Sequence, residues 1–358
     1  MNRRRMIAAM GGGGEWLHTI YVATTGNDTT GNGSKAAPYL TIGKALSVAV
    51  AGDGILLATG TYVGDNLLLS RFSDFVDIQS ESRVATDVVL SGRLYITSGG
   101  GARYMRWRYM TLSNSGADTL LMGKCDHIIF DNMIISNTGA PGNAVRFVNA
   151  TDTTLQNSTV SNTGGASAIL VGMDGDTGGD PNTVLLKNLL VDAGTSHGVT
   201  FGHGCINCVA DGLTITGSAD YGLIAKHCAG VEFKNCDIAS GTSAALYFKG
   251  ATTPNAHHNI LRAAAGYGFK MARSDDTTKC SDWILQYNQF IISGSGKSLT
   301  IGNDLHDEGG GVCDYNIYKN NSGLGIVRND ADVANLAELQ AAWEDYDVTT
   351  NDAHSTVV

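Results

Sequence analysis

The chain has 358 residues, with 46 glycines, 4 prolines and a formal net charge of −10. This acidic balance argues against a nucleic-acid partner, because binding to phosphates requires a basic surface. The sequence contains no run of 18 apolar residues, so we predict no membrane-spanning helix.

The first 18 residues differ in composition from the rest of the chain. Three arginines at positions 3 to 5 precede a short apolar run and four glycines. The apolar run is shorter than the core of a secretory signal, so we predict no signal peptide here. We interpret residues 1–18 as a flexible tail or an attachment segment.

Two segments have the apolar spacing of a short helix. In residues 40–50 the apolar side consists of Leu40, Ala45, Leu46 and Ala49, and residues 333–345 show a similar pattern. We predict a helix in each segment. Because the repeats described next lie between them, we expect the two helices to cap the ends of the repeat region.

Between these helices the sequence repeats about every 22–30 residues. Each repeat contains a seven-residue segment whose third and fifth positions are apolar, which is typical of a strand with one buried face. We number the positions of this first strand one to seven and expect positions two, four and six to face solvent. The aligned segments are 118–124, 143–149, 167–173, 197–203, 221–227, 244–250, 267–273 and 297–303.

Position two of the first strand holds a small residue in every repeat. On a solvent-facing row, small side chains would leave a flat wall that suits an extended polymer. The residues are Thr119, Ala144, Ala168, Gly198, Gly222, Ala245, Gly268 and Ser298.

A second strand follows in most repeats and ends in asparagine. Asparagine tolerates left-handed backbone, and stacked asparagines can hydrogen-bond to one another along a ladder. We therefore predict a column of turn asparagines made of Asn132, Asn157, Asn188, Asn235 and Asn288.

The repeats together predict the fold. A single rung cannot bury its own apolar face, so the rungs must stack on one another. We predict an all-β fold, a single-stranded right-handed parallel β-helix with short capping helices, in one domain over residues 19–350.

The two ends of the chain resemble a known group of proteins. Residues 21–28, 37–45 and 52–62 are similar to the opening of pectate-lyase-like β-helix proteins, especially family 9 polysaccharide lyases and related phage and bacterial proteins. Residues 336–343 and 352–355 resemble the closing segment of the same group. The resemblance implies the β-helix fold; such opening segments recur in lyases, epimerases, adhesins and phage tail proteins.

Outward positions of the first strand collect basic and aromatic side chains. Lys226 and Lys249 occupy position six of adjacent rungs, about 5 Å apart, and repulsion between them favours loss of one proton. A neutral lysine can act as a general base, so we predict that Lys226 and Lys249 are catalytic. The predicted substrate-binding residues around them are His203, His227, Tyr247, Lys270 and Arg273.

Three long loops, at 173–183, 273–282 and 303–314, leave the same edge of the predicted column and are rich in acidic residues. We expect them to wall one groove, because long loops on a regular scaffold usually carry function. Asp174, Asp176 and Asp180 in the first loop suit Ca²⁺, which prefers carboxylate oxygens. Family 9 lyases are thought to combine a lysine base with calcium, so the resemblance implies these roles for Lys226 or Lys249 and the three aspartates.

We therefore predict a protein that binds, and cleaves by β-elimination, an acidic polysaccharide containing uronate residues. One alternative is a tail-spike or other virion protein that binds or hydrolyses a host glycan, in which case we expect a homotrimer. Another is a non-catalytic, adhesive β-helix. We expect an extracellular or virion-associated protein, and neither a nucleic acid nor a membrane as a partner.

Overall fold

A computed structural model shows parallel β-strands stacked into a column, with two short α-helices. It describes residues 16–67, 70–96, 101–164, 166–173, 181–194, 197–218, 220–272, 280–293, 295–301, 311–320, 325–327, 331–333, 335–344, 348–351 and 353–357. Within these residues the predicted all-β architecture is confirmed.

The strands of the first half are β1 (Thr19–Val22), β2 (Gly54–Leu57), β3 (Gly60–Val63), β4 (Asn66–Leu67), β5 (Arg71–Ser80), β6 (Val88–Ser91), β7 (Leu94–Ile96), β8 (Ala102–Arg108), β9 (Thr111–Asn114), β10 (Leu120–Asp131), β11 (Ile134–Asn137), β12 (Val145–Thr151), β13 (Thr154–Gln156), β14 (Thr159–Asn162), β15 (Ile169–Val171), β16 (Leu185–Lys187), β17 (Leu190–Asp192) and β18 (Val199–Phe201).

The strands of the second half are β19 (Val209–Asp211), β20 (Thr214–Thr216), β21 (Tyr221–Lys226), β22 (Glu232–Lys234), β23 (Asp237–Ser240), β24 (Ala244–Lys249), β25 (Asn255–His257), β26 (Ile260–Ala263), β27 (Tyr267–Ala272), β28 (Ile284–Gln286), β29 (Gln289–Ile292), β30 (Lys297–Ile301), β31 (Gly311–Asp314), β32 (Ile317–Asn320), β33 (Gly325–Val327), β34 (Ala331–Val333), β35 (Val348–Asn351) and β36 (Thr356–Val357). The helices are α1 (Ile42–Val48) and α2 (Leu336–Glu344), with a 3₁₀ turn at Ala85–Asp87.

The described strands form two sheets, one of 24 strands and one of 12. The first and second strands of each rung join the larger sheet, and the third strand joins the smaller one. The strands of successive rungs pair in parallel, as β21 does with β24 and β24 with β27, whereas β34 pairs antiparallel with β33. Equivalent residues therefore lie above one another along the column.

The core follows from this register, because positions three and five of the first strand point inward. Leu223, Leu246 and Phe269 at position three, and Ala225 and Phe248 at position five, are fully buried. The rings of Phe248 and Phe269 meet edge to face with centroids 5.1 Å apart, a favoured aromatic geometry. The predicted alternation at these positions is confirmed.

Position two, however, does not face solvent, and the predicted flat wall is wrong. Thr119, Ala144 and Ser298 are 0% exposed. A Cβ atom on Gly268 would lie 2.6 Å from Cδ1 of Phe290 and 2.7 Å from the carbonyl oxygen of Ser298. The residues at this position are small because it fills a crowded inner corner of the rung.

Gly268 and Gly116 make a matched pair that tests this explanation. We expect Gly268→Ala to destabilise the fold by about 1–3 kcal/mol, because overpacking forces neighbouring atoms apart. A Cβ on Gly116 would meet nothing within 4 Å, so Gly116→Ala should be neutral or stabilise by under about 1 kcal/mol. Urea unfolding measures both, and equal losses would contradict the inner-corner assignment.

The asparagine column is confirmed in part. Asn132, Asn157, Asn188 and Asn235 have left-handed backbone, with φ between 50° and 56°. Asn188 donates from Nδ2 to Oδ1 of Asn157 at 3.2 Å. We call this row of turn residues the outer column.

Asn288 does not belong to the outer column, contrary to the prediction. Tyr287 takes the left-handed position in that rung, and Asn288 is the next residue, 1% exposed. Asn288 accepts from the backbone N–H of Asn259 at 3.0 Å, and its own N–H donates to Oδ1 of Asn316 at 3.0 Å. These three residues form a second, buried ladder beside the outer column.

The N-terminal helix is shorter than the predicted segment 40–50. Two backbone N–H groups, of Leu40 and Thr41, donate to the Asp28 carboxylate, and the Thr41 hydroxyl then caps α1 by accepting from the N–H of Lys44. This places Leu40 outside the helix, where it is 42% exposed. α2 likewise lies within the predicted segment 333–345. Among the described residues, no helix is long and apolar enough to cross a membrane.

The predicted tail, residues 1–18, lies outside the described residues as far as residue 15. Trp16 donates from Nε1 to Oδ2 of Asp77 at 2.9 Å. Leu17 donates its backbone N–H to Gly52, and the carbonyl oxygen of His18 accepts from Gly54. Residues 16–18 are thus hydrogen-bonded to the first rungs.

Near the other end, aromatic residues replace asparagine in the outer column. The rings of His258, Tyr287, Tyr315 and His354 stack at centroid distances of 5.0, 4.8 and 4.5 Å. His354 also donates its backbone N–H to Oδ1 of Asp314 at 2.8 Å, and its Nδ1 lies 2.7 Å from Oδ2 of the same carboxylate. These contacts fasten the last described residues to the column.

We expect the Asp314–His354 contact to make stability depend on pH in the acid range. Burial opposes ionisation of the carboxyl group, but the hydrogen bonds from His354 outweigh it and lower the pKa of Asp314 below 3.8. Its stabilising contribution is complete above the unfolded-state value, about 3.9, and is lost as the pH falls through the lowered value. His354→Ala should therefore move the acid-unfolding midpoint to higher pH. His258→Asn removes a stacked ring but no contact to Asp314, so it should leave the acid-unfolding midpoint unchanged. An equal shift of the midpoint in both variants would show that ring stacking, and not the contact to Asp314, causes it.

Candidate functional site

The outward face of β21, β24 and β27 is the strongest candidate site. These three adjacent strands contain three lysines and no acidic residue, in a chain of net charge −10. The ladder pairs Lys226 with Lys249 and Tyr247 with Lys270, as the alignment of the repeats predicted. All three lysine side chains are partly exposed. We call this surface the lysine face.

The side chains of the lysine face form two groups. Tyr221, at position one, and Lys226, at position six, are five residues apart on the same strand, or about 16 Å. Tyr221, Tyr247 and Lys270 gather toward one edge of the face, and we call them the tyrosine cluster. Lys226 and Lys249 lie at the other edge beside His203 and His227, and we call these four the lysine–histidine cluster.

The tyrosine cluster is held together by ring stacking and a cation. The rings of Tyr221 and Tyr247 are stacked with centroids 4.8 Å apart. Nζ of Lys270 lies 5.2 Å from the Tyr247 centroid, within the range of a cation–π contact. Nζ also donates to the Tyr221 hydroxyl at 3.4 Å. The cluster therefore offers an aromatic surface with a positive charge on it.

Tyr247 was predicted to face solvent, but only 9% of it is exposed. Burial, reinforced by the neighbouring Tyr221, raises the pKa of the Tyr247 phenol well above its usual range. Tyr247 therefore stays protonated at neutral pH, so it contributes a ring surface and a hydrogen-bond donor but not a base.

His197 and Asp220 support the same edge of the face. The ring of His197 lies 5.4 Å from that of Tyr221, and its Nδ1 is 3.4 Å from Oδ2 of Asp220. Asp220 immediately precedes β21, so an acidic group borders the tyrosine cluster. Neither residue was among the predicted site residues.

In the lysine–histidine cluster, the two histidines occupy position seven, immediately after the position-six row that contains the two lysines. The His203 and His227 rings have centroids 5.3 Å apart, tilted by 34°. His227 has left-handed backbone with φ of 50°, and its backbone N–H donates to the backbone carbonyl oxygen of Lys249 at 3.0 Å. Lysine and histidine are the side chains most used as base and acid near neutral pH, so this edge carries the groups suited to proton transfer.

Several predicted site residues lie outside the described residues. They are Arg273 and the predicted calcium ligands Asp174, Asp176 and Asp180, together with most of the three acidic loops. Their roles stay predictions.

A different acidic group lies at the turn between the first and second strands. Asp126, His127 and Asp152 each place one ligand atom within 4.8 Å of the others. Nε of Arg103 contacts Oδ2 of Asp126 at 2.8 Å, and Nδ1 of His127 contacts Oδ1 of the same carboxylate. Because the Arg103 guanidinium already balances part of the negative charge, we assign the group to stabilising the turn.

All seven cysteines lie among the described residues as buried thiols outside any disulfide, as expected for small core residues. Cys205 and Cys208, which form a CxxC pattern, are both 0% exposed, and Sγ of Cys205 donates to the carbonyl oxygen of Val171 at 2.9 Å. Burial raises the pKa of the Cys125 and Cys236 thiols to about 12, which disfavours nucleophilic chemistry there.

Tyr221 is the main site residue that the sequence analysis missed. The alignment considered positions two, four and six as outward, yet the position-one side chains of Tyr221 and His197 also reach the face. A signal was present: position one holds His197, Tyr221 and Tyr267 in three of four consecutive repeats. Large aromatic residues at the start of an outward row predict a ring surface.

Comparison with known families agrees with this architecture. Residues 143–305 match the model described as right handed beta helix region. Residues 24–67 match a second model, a protein of unknown function, DUF1565. Among curated proteins, none matches the sequence.

Solved structures show the same fold at low sequence identity. An alginate lyase from Paenibacillus sp. str. FPU-7 is 17% identical, with a TM-score of 0.53 over 80% of this chain and 98% of its own. Pectate lyase Pel9A is 13% identical, with a TM-score of 0.55 over 80% and 78%. The mannuronan C-5 epimerase AlgE6 A-module from Azotobacter vinelandii is 13% identical, with a TM-score of 0.53 over 88% and 91%. The chain is therefore a right-handed parallel β-helix protein.

Proposed function

We propose that the protein binds an acidic polysaccharide across the lysine face and cleaves it by β-elimination. The observation that carries the proposal is the concentration of three lysines, without an acidic residue, on three adjacent strands of an acidic chain. A surface of this kind attracts carboxylate groups against the charge of the whole molecule. The similar structures named above act, by their names, on alginate, pectate and mannuronan, which supports a polysaccharide as the partner.

In this proposal the tyrosine cluster binds a sugar ring, and the lysine–histidine cluster carries the groups for the reaction. Stacked Tyr221 and Tyr247, with Lys270 above them, suit an apolar sugar face that carries a negative group. Lys226 and Lys249, two residues or about 7 Å further along the strands than Tyr247 and Lys270, bind the carboxylate of another uronate unit. More than one sugar is needed to contact both clusters, so we expect an oligomer or polymer as substrate.

Cleavage requires one base, one acid and a stabilised negative charge. Lys226 or Lys249 is the base that accepts, on Nζ, the proton from the carbon beside the uronate carboxylate. The electron pair forms a carbon–carbon double bond as the neighbouring bond to the glycosidic oxygen breaks, and His203 or His227 supplies the proton for that oxygen. The second lysine, still charged, stabilises the negative charge that develops on the carboxylate.

We further propose that Ca²⁺ assists the reaction, held by Asp174, Asp176 and Asp180. The support is the chemistry of the residues, since three closely spaced carboxylates are the ligands that Ca²⁺ prefers. If so, a chelator should reduce cleavage, and added Ca²⁺ should restore it. The location outside the cell or on a virion also belongs to this proposal, because such polymers are found there.

The proposal is tested by incubating the full chain with pectate, alginate, ulvan and glycosaminoglycans, with Ca²⁺ or with chelator. Each elimination creates one unsaturated sugar, which absorbs in the ultraviolet. We expect absorbance to rise with at least one acidic polymer and not with a neutral glucan. No rise with any acidic polymer in the presence of Ca²⁺ would contradict cleavage, and measured binding without cleavage would favour the adhesive or virion alternative.

A further inference from the structure

We infer that His257 and His258 form a binding site for a divalent transition-metal ion, with Cu²⁺ favoured. The two histidines lie at the turn from β25 to β26, in rung positions separate from the lysine face. Their Nδ1 atoms approach to 2.9 Å, and the two ring planes are at 86° to each other. The contact is a hydrogen bond in which one of the two Nδ1 atoms carries the hydrogen, and an ion that replaces this hydrogen can be shared by both nitrogens.

The contact with Glu232 determines the tautomer of His257, that is, which ring nitrogen is protonated. Nε2 of His257 lies 3.0 Å from Oε1 of Glu232, and because a carboxylate only accepts, Nε2 is the N–H. In neutral His257, Nδ1 therefore presents a lone pair toward His258. A carboxylate behind a ligating imidazole is the common arrangement in protein metal sites.

The type of ligand favours late transition metals. Imidazole nitrogen is a ligand that suits Cu²⁺, Ni²⁺ and Zn²⁺. Affinity for such a site rises from Ni²⁺ to Cu²⁺ and is lower again for Zn²⁺, so we expect Cu²⁺ to bind most tightly.

Both rings are held in place before any ion binds. His258 has left-handed backbone with φ of 57°, and its ring stacks on Tyr287 at 5.0 Å. His257 is anchored through Glu232, which itself accepts from Nζ of Lys234 at 2.6 Å. The His257 side chain is 24% exposed, so an ion can reach the pair from solvent. The pair at His203 and His227 differs, because its rings lie alongside each other with centroids 5.3 Å apart.

The test is a Cu²⁺ titration of the full chain, followed by electron paramagnetic resonance. The variants His257→Gln and His258→Asn use residues that already occur at the same positions of neighbouring rungs. Gln286 is equivalent to His257 in the next rung, and Asn235 is equivalent to His258 in the previous rung, so we expect both variants to keep the fold. We expect one tight equivalent with hyperfine structure from two nitrogens. His257→Gln and His258→Asn should each weaken binding at least about 10-fold, and Glu232→Gln should weaken it about 10–100-fold.

His18→Asn serves as the control, because His18 is an exposed histidine at the other end of the column and should not affect the tight equivalent. Thermal unfolding of each variant shows whether the fold is kept. The inference is overturned if no tight equivalent exists, if it survives both His257→Gln and His258→Asn, or if it is lost instead in His203→Asn.

Discussion

Replacing Lys226 or Lys249 by methionine is expected to reduce polyuronate cleavage by at least about 100-fold for the lysine that acts as base, since general-base catalysis typically contributes 10²–10⁴-fold. Methionine keeps the length of the side chain and removes the amine, so packing on the lysine face is disturbed little. Initial rates of ultraviolet absorbance at saturating substrate measure the effect.

Arginine at the same positions separates the base from the binding charge. Arginine stays protonated at all accessible pH values, so it can bind a carboxylate but cannot remove a proton. We expect the arginine variant of the base to bind substrate and remain inactive, and the arginine variant of the other lysine to keep part of the activity. Lys187→Met is the matched control, because Lys187 is an exposed lysine on β16, a second strand. Full activity in both methionine variants would contradict the assignment.

The largest effect on stability is expected from Asn288→Ala. Its side chain accepts from the backbone N–H and from Nδ2 of Asn259, both at 3.0 Å, and donates to the carbonyl oxygen of Ala256 at 3.0 Å. Alanine would leave these buried groups without their partner, and each such loss costs about 1–3 kcal/mol. We expect a decrease of about 3–5 kcal/mol in the free energy of unfolding, measured in urea.

Asn188→Gly is the comparison, since Asn188 hydrogen-bonds in the exposed outer column, where water can replace the lost partner, and glycine also tolerates its left-handed backbone. Its cost should stay below about 1 kcal/mol. Similar losses for Asn188 and Asn288 would mean that the buried ladder has no special part in stability.

The repeat alone was enough to predict the fold, because stacking multiplies one pattern over many rungs. Inward apolar residues such as Leu246 and Phe248 recur at fixed positions, and register follows once the rungs align. The corners of the rung could not be predicted in the same way. Position two lies at the start of the first strand, beside a corner of the rung, and Asn288 lies in a turn. At both places a residue faces the core or the solvent according to backbone angles that alternation does not encode.

The sequence predicted which site residues lie in the same row of the ladder, but not which side chains contact one another. The pairing of Lys226 with Lys249 follows from register, which the sequence encodes. The stacking of Tyr221 on Tyr247 depends on side chains that lean about three residues along the strand, and sequence spacing carries no information on that direction. The sequence analysis therefore placed Tyr247 on an open wall, where the structure places it beneath a neighbouring ring and a lysine.

The central claim is that the lysine face binds acidic sugar chains. The most direct measurement is calorimetric titration of a polyuronate oligomer, long enough to span both clusters, into the wild-type chain and into the Lys226→Met/Lys249→Met double variant, with a neutral oligomer of equal length as the control. We predict binding of the acidic oligomer to the wild type, at least about 10-fold weaker binding to the double variant, and none of the neutral oligomer. Equal affinity of both proteins for the acidic oligomer would contradict the claim.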